Sequence, residues 1–409
     1  MSKQEFDVAV VGAGFAGMYL LHRLRKLGFR ARVIEAGSDV GGTWYWNRYP
    51  GARVDIESMQ YSYQFDEELQ QEWQWSERYS PQPEILKYAG HVADRFDLRR
   101  DIQFDTRVAA ATYDEKSALW TLKAEDGTKT VARFFVMATG CLSKPNWPQI
   151  DGLDSFKGPT YHTAQWPHEK IDFTGKRVAV IGTGSSAIQS IPVIADEAAE
   201  VFVFQRTANY AIPANNAPLD QKYEHEVKSR YAEFRAEAKQ TPPGIHGRFR
   251  QGKALEATAE ERQAEYEQRW ETGGLSFMGA YGDLIFDQEA NDTAAEFVRN
   301  KIRGLVEDPD IAELLCPKNI IGGKRLCVDT NYFSTYNRDH VHLIDVEAQP
   351  IEAITPTGVR AQGKNFEVDA LVIATGFDAM TGALTQVDIK GRNDASLQKR
   401  WADGPTSYL

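Results

Sequence analysis

Two glycine-rich hexapeptides carry the chemistry open to this chain. Gly12-Ala13-Gly14-Phe15-Ala16-Gly17 is a full GxGxxG, and Gly182-Thr183-Gly184-Ser185-Ser186-Ala187 is a GxGxxA. In such a turn the first glycine makes the bend, the second lets backbone approach a pyrophosphate, and the third position lets helix and strand pack closely. The following helix turns unpaired N–H groups toward the phosphates. Two such turns point to two dinucleotides and to electron transfer between them.

The residues that end the next strand tell the two turns apart. Ala31–Ile34 ends in Glu35, an acid placed to bind ribose hydroxyls. Val201–Phe204 runs instead into Gln205-Arg206-Thr207. An acid there would repel a 2′-phosphate, whereas an arginine and a hydroxyl bind it. The competing reading of Arg206 is a solvated surface charge. FAD in the first unit and NADPH in the second follows, with the flavin supplying the redox chemistry.

The elements that must hold these turns are legible in the pattern. Phe6–Val11 and Lys176–Ile181 read as buried parallel strands. Met18, Leu20, Leu21, Leu24 and Leu27 predict the apolar face of a helix that stops at Gly28, and Ile188, Ile191 and Ile194 predict its counterpart. Each unit closes on Ala-Thr-Gly: Ala138–Gly140 after Phe134–Met137, and Ala374–Gly376 after Ala370–Ile373. The fold class is therefore α/β, with two Rossmann-like dinucleotide-binding domains and a helical insertion in the second. Residues 1–143 form the FAD-binding domain, 144–215 the first part of the NADPH-binding domain, 216–316 the insertion, 317–377 the second part, and 378–409 the start of a return to the FAD domain. Within the insertion, Asp292 is expected to cap a helix with Ala295, Phe297, Val298, Ile302 and Val306 on its apolar face, and Asp308-Pro309 to start another. The insertion either shapes a substrate pocket or serves as packing or dimer surface; the sequence leaves both open, and the oligomeric state with them.

Composition narrows the class. The 409 residues carry 47 Lys and Arg against 58 Asp and Glu, a net charge of −11, which argues against nucleic acid as a partner. Met1-Ser2-Lys3-Gln4-Glu5 leads straight into the first strand, so no signal peptide is expected. No apolar run is long enough to cross a bilayer, so no membrane partner is expected. Cys141, Cys316 and Cys327 make no CxxC, zinc pattern or disulfide framework. A cytoplasmic setting and no metal are expected, and the missing CxxC argues against disulfide reductases.

The linker Phe156-Lys157-Gly158-Pro159-Thr160-Tyr161-His162-Thr163-Ala164-Gln165-Trp166-Pro167 matches FxGxxxHxxxWP. Gly41, Gly42, Trp44, Tyr49, Pro50, Gly51 and Asp55 match GGxWxxxxYPGxxxD. With both nucleotide turns and Gly323-Lys324-Arg325 in order, the chain resembles the type I Baeyer–Villiger monooxygenases along nearly its whole length. The resemblance implies that NADPH reduces FAD, that O2 adds to it as a flavin peroxide, and that one oxygen atom enters next to a ketone carbonyl to give an ester or lactone. It implies Arg325 and Asp55 as the catalytic pair, a cation for developing negative charge and the acid that holds it. It implies Thr43, Trp44 and Asp55 as contacts of the flavin nucleotide. Ser185, Ser186, Gln189 and Lys324 would join Arg206 and Thr207 on NADPH. Phe156, Gly158, His162 and Trp166 would couple the two domains, with His162 structural rather than an acid or base, and Trp46 is read as a core or interface aromatic. Family members run on past Leu409 through a part that completes the FAD domain, so the reading expects a truncated chain. Trp166-Pro167 favours ketone oxidation over the related flavin-containing N- or S-monooxygenases. A flavin-binding fragment without oxygenation is the other alternative, against which Asp55, Lys324 and Arg325 speak.

Overall fold

The computed structural model describes residues 5–407, so the Met1–Gln4 start and Tyr408-Leu409 lie outside it. The chain forms two compact units, one of residues 1–48, 83–146 and 376–409, the other of 49–82 and 147–375.

The first unit is built on β1 (Glu5–Val11), β2 (Ala31–Ile34), β3 (Ile102–Gln103), β4 (Val108–Asp114), β5 (Leu119–Ala124) and β6 (Lys129–Met137). The order β6-β1-β2-β3 is parallel, and β4 and β5 extend it as an antiparallel meander. A last strand, Asp388–Lys390, adds beside β4 and completes seven strands. The helix Phe15–Lys26 follows the first glycine turn and buries Met18 and Leu21 against Val8, Val10 and Val33. Leu27 lies past its end and is 64% exposed, so the predicted apolar face is shorter by one position.

The second unit holds β7 (Thr160–His162), β8 (Arg177–Ile181), β9 (Glu200–Gln205), β10 (Ala211–Pro213), β11 (Cys327–Asp329), β12 (Val341–Asp345), β13 (Ala353–Thr355), β14 (Gly358–Ala361), β15 (Lys364–Glu367) and β16 (Ala370–Ile373). The central sheet, β12-β9-β8-β16-β7, is parallel throughout. Its inner strands β8, β9 and β16 are near-continuous apolar runs because both faces are covered. Strands β13–β15 form an antiparallel meander, and β10 pairs in parallel with β11.

The segment 49–82, read from sequence as part of the first nucleotide domain, groups with the second unit. The reason lies far along the chain. Tyr231 donates its hydroxyl to Met59 O at 2.6 Å, and Arg235 donates to Gln60 O at 2.7 Å. Both donors sit on one insertion helix, Tyr231–Lys239. A second correction concerns the long insertion helix, Gln288–Leu305. Asp287 caps it by accepting from Ala290 N–H at 2.9 Å, while Asp292 lies inside and pairs with Gln288. Phe297, Val298 and Ile302 are buried on the expected face.

The insertion is pinned by one buried ion pair. Glu265 and Arg269 lie four residues apart on the helix Ala259–Thr272, 2.8 Å from each other, each side chain 5% exposed. Arg250 adds a second contact to Glu265 at 2.9 Å, and Arg269 also donates to Ser276 O and Gly279 O. Burial alone pushes the Glu265 carboxyl up, but Arg269 and Arg250 outweigh it and hold it below the ordinary glutamate range. Its stabilising contribution is therefore present above the unfolded value, roughly pH 4.3, and is lost as pH falls through the lower folded one. Removing one partner strands the other charge. E265A is expected to cost about 3–5 kcal/mol in urea unfolding at neutral pH, with the difference from the parent shrinking in acid.

Candidate active site

Each nucleotide turn is shaped for a close backbone approach. Gly12 has φ +104, and a Cβ on it would lie 2.6 Å from Ala138 O; a Cβ on Gly17 would lie 1.9 Å from Gly12 O. The Ala-Thr-Gly after β6 is thus what the first turn packs on. Gly42, with φ +55, brings the second motif against the same turn, since its Cβ would lie 2.8 Å from Gly14 Cα. Thr43 then opens the short helix Thr43–Trp46, in which Trp44 is buried. The second turn repeats the plan: Gly182 faces Ala374 O, and a Cβ on Gly184 would meet nothing within 4 Å.

Both turns fit a pyrophosphate. The helices Phe15–Lys26 and Ser185–Glu197 have glycine N-caps, no capping side chain and no acidic residue in the first turn. A helix start of that kind, with a glycine cap and no acid beside it, suits an anion.

Glu35 is buried, and its carboxylate accepts from Ala13 N–H at 2.6 Å and Gly37 N–H at 2.8 Å. Burial pushes its carboxyl up and these amides pull it down, with burial the larger. The acid that the sequence assigns to a ribose therefore also clamps the glycine turn itself.

In the second unit, Thr183 donates its hydroxyl to Thr207 O at 2.8 Å, tying the turn to the segment after β9. There Gln205, Arg206 and Thr207 line a cavity of about 270 Å³ with Lys318, Asn319 and Asp345. Lys324, the lysine singled out from sequence, is exposed and not on this wall. Lys318, which no motif marks, stands on the wall instead.

The catalytic pair predicted from sequence is brought together. Asp55 Oδ2 lies 2.6 Å from an Arg325 guanidinium nitrogen, although 270 residues separate them (325 less 55). The aspartate side chain is 7% exposed and the arginine side chain 62%. Burial pushes the Asp55 carboxyl up, and the Arg325 charge and hydrogen bond oppose it. Arg325 is placed by the adjoining β11, whose Cys327 N–H donates to Tyr210 O. Asp55 also lines a cavity of about 340 Å³, shared with Tyr79 and with the insertion residues Ile245, His246 and Leu275.

The linker residues brace the edge strand β7 of the second unit. His162 is 2% exposed, accepts from Ala164 N–H at Nδ1, and packs 4.8 Å from the Trp147 ring. Trp166 packs on Tyr161 and Phe173. A Cβ on Gly158 would lie 2.6 Å from Asp369 O and 2.7 Å from the Phe156 ring.

The fold and these sites define a flavoprotein oxidoreductase with two dinucleotide-binding units. Residues 9–257 match the family model described as pyridine nucleotide-disulphide oxidoreductase. Among curated relatives, a Baeyer–Villiger monooxygenase of Pseudooceanicola batsensis is 43% identical over 99% of this chain and 75% of its own length. A phenazine N-monooxygenase of Lysobacter antibioticus is 41% identical over 100% of this chain and 76% of its own. Of solved structures, an oxidized steroid monooxygenase bound to NADP is 54% identical with a TM-score of 0.95, covering 99% of this chain and 78% of that one. OTEMO in complex with FAD and NADP is 41% identical with a TM-score of 0.96, covering 99% and 77%. The chain belongs to the type I Baeyer–Villiger monooxygenase family and is an FAD- and NADPH-dependent monooxygenase. Among the described residues no helix is long and apolar enough to cross a membrane.

Arg206, which the sequence reading assigns to a 2′-phosphate, stands on that cavity wall. R206A is expected to raise KM for NADPH about tenfold or more and to leave KM for NADH within about twofold, read from initial rates of flavin reduction.

Proposed function

We propose that Arg325 is the catalytic cation, that Asp55 is its anchor, and that the substrate is a ketone received in the cavity beside Asp55. The observation that carries this is the asymmetry of the pair: the anion is buried and the cation is presented. A fixed positive charge lowers the free energy of negative charge that develops beside it, most of all where water is sparse. Arginine suits the task because it stays protonated at any working pH, so the chain need only hold it in place. Bound FAD, reduced by NADPH, supplies the activation of O2. One oxygen atom enters the bond between the carbonyl carbon and its neighbour, the other leaves as water, and NADPH provides the two electrons that balance the change.

Arg206 and Thr207, with Ser185 and Ser186 at the turn, are assigned to NADPH; Lys324, off the Arg206 cavity wall, keeps that assignment on its motif alone. Gly12, Gly14, Gly17, Glu35, Thr43 and Trp44 are assigned to FAD. The three thiols, Cys141 exposed and Cys316 and Cys327 buried, are all unpaired and suit a reducing compartment such as the cytoplasm.

A second reading, N-oxygenation, has one specific support: a relative named as an N-monooxygenase matches over the whole chain. Aerobic turnover with NADPH on a panel of ketones and aromatic N-heterocycles separates the two. Products one oxygen heavier that base cleaves to acid and alcohol establish ester formation, and base-stable N-oxides establish the other. R325A is expected to lower ester formation about 10²–10³-fold while anaerobic flavin reduction by NADPH stays within about twofold. Undiminished ester formation in R325A would remove the arginine from this role.

A further inference from the structure

We propose that Gln189 is a positioning residue for oxygenation, whose side-chain amide orients the Asp55 carboxylate so that one oxygen is left to Arg325. This rests on the roles given above to Asp55 and Arg325. Asp55 divides its two oxygens. Oδ1 accepts from Gln189 Nε2 at 3.1 Å, and Oδ2 pairs with Arg325 at 2.6 Å. The sequence reading placed Gln189 among the NADPH contacts; in the structure its side chain bonds to Asp55, Tyr49 and Arg53.

The orientation of that amide is determined by its other partners. Nε2 also donates to Arg53 O at 3.2 Å, while Oε1 accepts from Tyr49 O–H at 2.8 Å and Arg53 N–H at 3.4 Å. A carbonyl only accepts and a backbone N–H only donates, so a flipped amide would lose both Arg53 bonds. Burial pushes the Tyr49 phenol up, so it keeps the proton it donates. Gln189 itself is 7% exposed and is the fifth residue of the helix Ser185–Glu197. Gly51, with φ +78, lets the loop lie on that helix, since a Cβ there would stand 2.2 Å from Gln189 O. Tyr49, Gly51 and Asp55 thus all bear on one glutamine, which gives the YPGxxxD spacing a physical meaning.

Charged and titratable groups around Asp55 leave it as the group that this change would move. Tyr79 and Cys327 are both pushed up to about 12 by burial and stay neutral. Arg53 is paired with Glu77, Arg78 with Glu57, and His246 of the same cavity with Glu237. Without Gln189, Asp55 loses a hydrogen bond to its charged form, so its carboxyl rises further and its oxygens are free to turn away from Arg325.

The test uses the FAD-loaded protein, after the parent has been shown to form an ester. In Q189L, ester turnover is expected to fall about ten- to hundredfold, with the lost flux appearing as hydrogen peroxide. The acid limb of the kcat profile is expected to move up by about one pH unit. NADP⁺ affinity by calorimetry and KM for NADPH should stay within about twofold. Y49F, which removes one bond to the amide and leaves the helix intact, should shift the same limb in the same direction by less, and it decides alone if Q189L does not retain FAD. A rise in Kd and KM with kcat unchanged would make Gln189 a cofactor contact and overturn the proposal. An unmoved pH profile and coupling ratio would overturn it as well. Failure of the parent to oxygenate any ketone would instead count against the function proposed above.

Discussion

A carboxylate taken out of water must be answered by groups that stabilise its charge, and in this chain the requirement converges on Asp55. The cost of burying an ion runs to several kcal/mol even after relaxation. Asp55 meets it with one guanidinium and one amide, on different oxygens. Each partner brings its own support. Arg325 stands just before the strand that pairs with β10, and Gln189 is carried by the helix that opens on the second glycine turn. The loop from Tyr49 to Asp55 is held by both. The position of the presented cation is therefore a consequence of where a buried anion can be satisfied.

Much of the scaffold was legible because its causes are local. A glycine on which a Cβ would stand 2.6 Å from a carbonyl oxygen, as on Gly12 toward Ala138 O and on Gly182 toward Ala374 O, admits no other side chain, so both turns stand out in the sequence. The Ala-Thr-Gly tripeptides are the surfaces those glycines pack on, which is why turn and tripeptide recur together. Apolar runs covered on both faces likewise announce the central strands.

What was not legible depends on partners far along the chain. Segment 49–82 continues in sequence the motif begun at Gly41, yet its Met59 and Gln60 carbonyls are taken by Tyr231 and Arg235 of the insertion. Asp287 and Asp292 are both acceptable caps by residue type. The register of Phe297, Val298 and Ile302 cannot choose between them, because a helix extended by one turn presents the same face. Lys318 and Lys324 are alike in chemistry and six residues apart, and only the path of the chain after Pro317 puts the former beside Arg206. Glu35 was recognised by position, but its grip on Ala13 N–H depends on a backbone conformation that residue types do not reveal.

The split exposure of the Asp55–Arg325 pair also explains the choice of residues. A pair buried at both ends would gain Coulomb energy but present nothing to a substrate, and a pair exposed at both would be screened and loosely held. With the carboxylate buried and the guanidinium 62% exposed, the held end leaves the other presented, as the role proposed for Arg325 requires. Arginine can fill that place because its planar fork binds the carboxylate through one edge and keeps further N–H groups for a partner. A lysine spends its single charged centre on the anchor. The glutamine then does for the carboxylate what the carboxylate does for the arginine, removing a rotation that would otherwise blur the geometry.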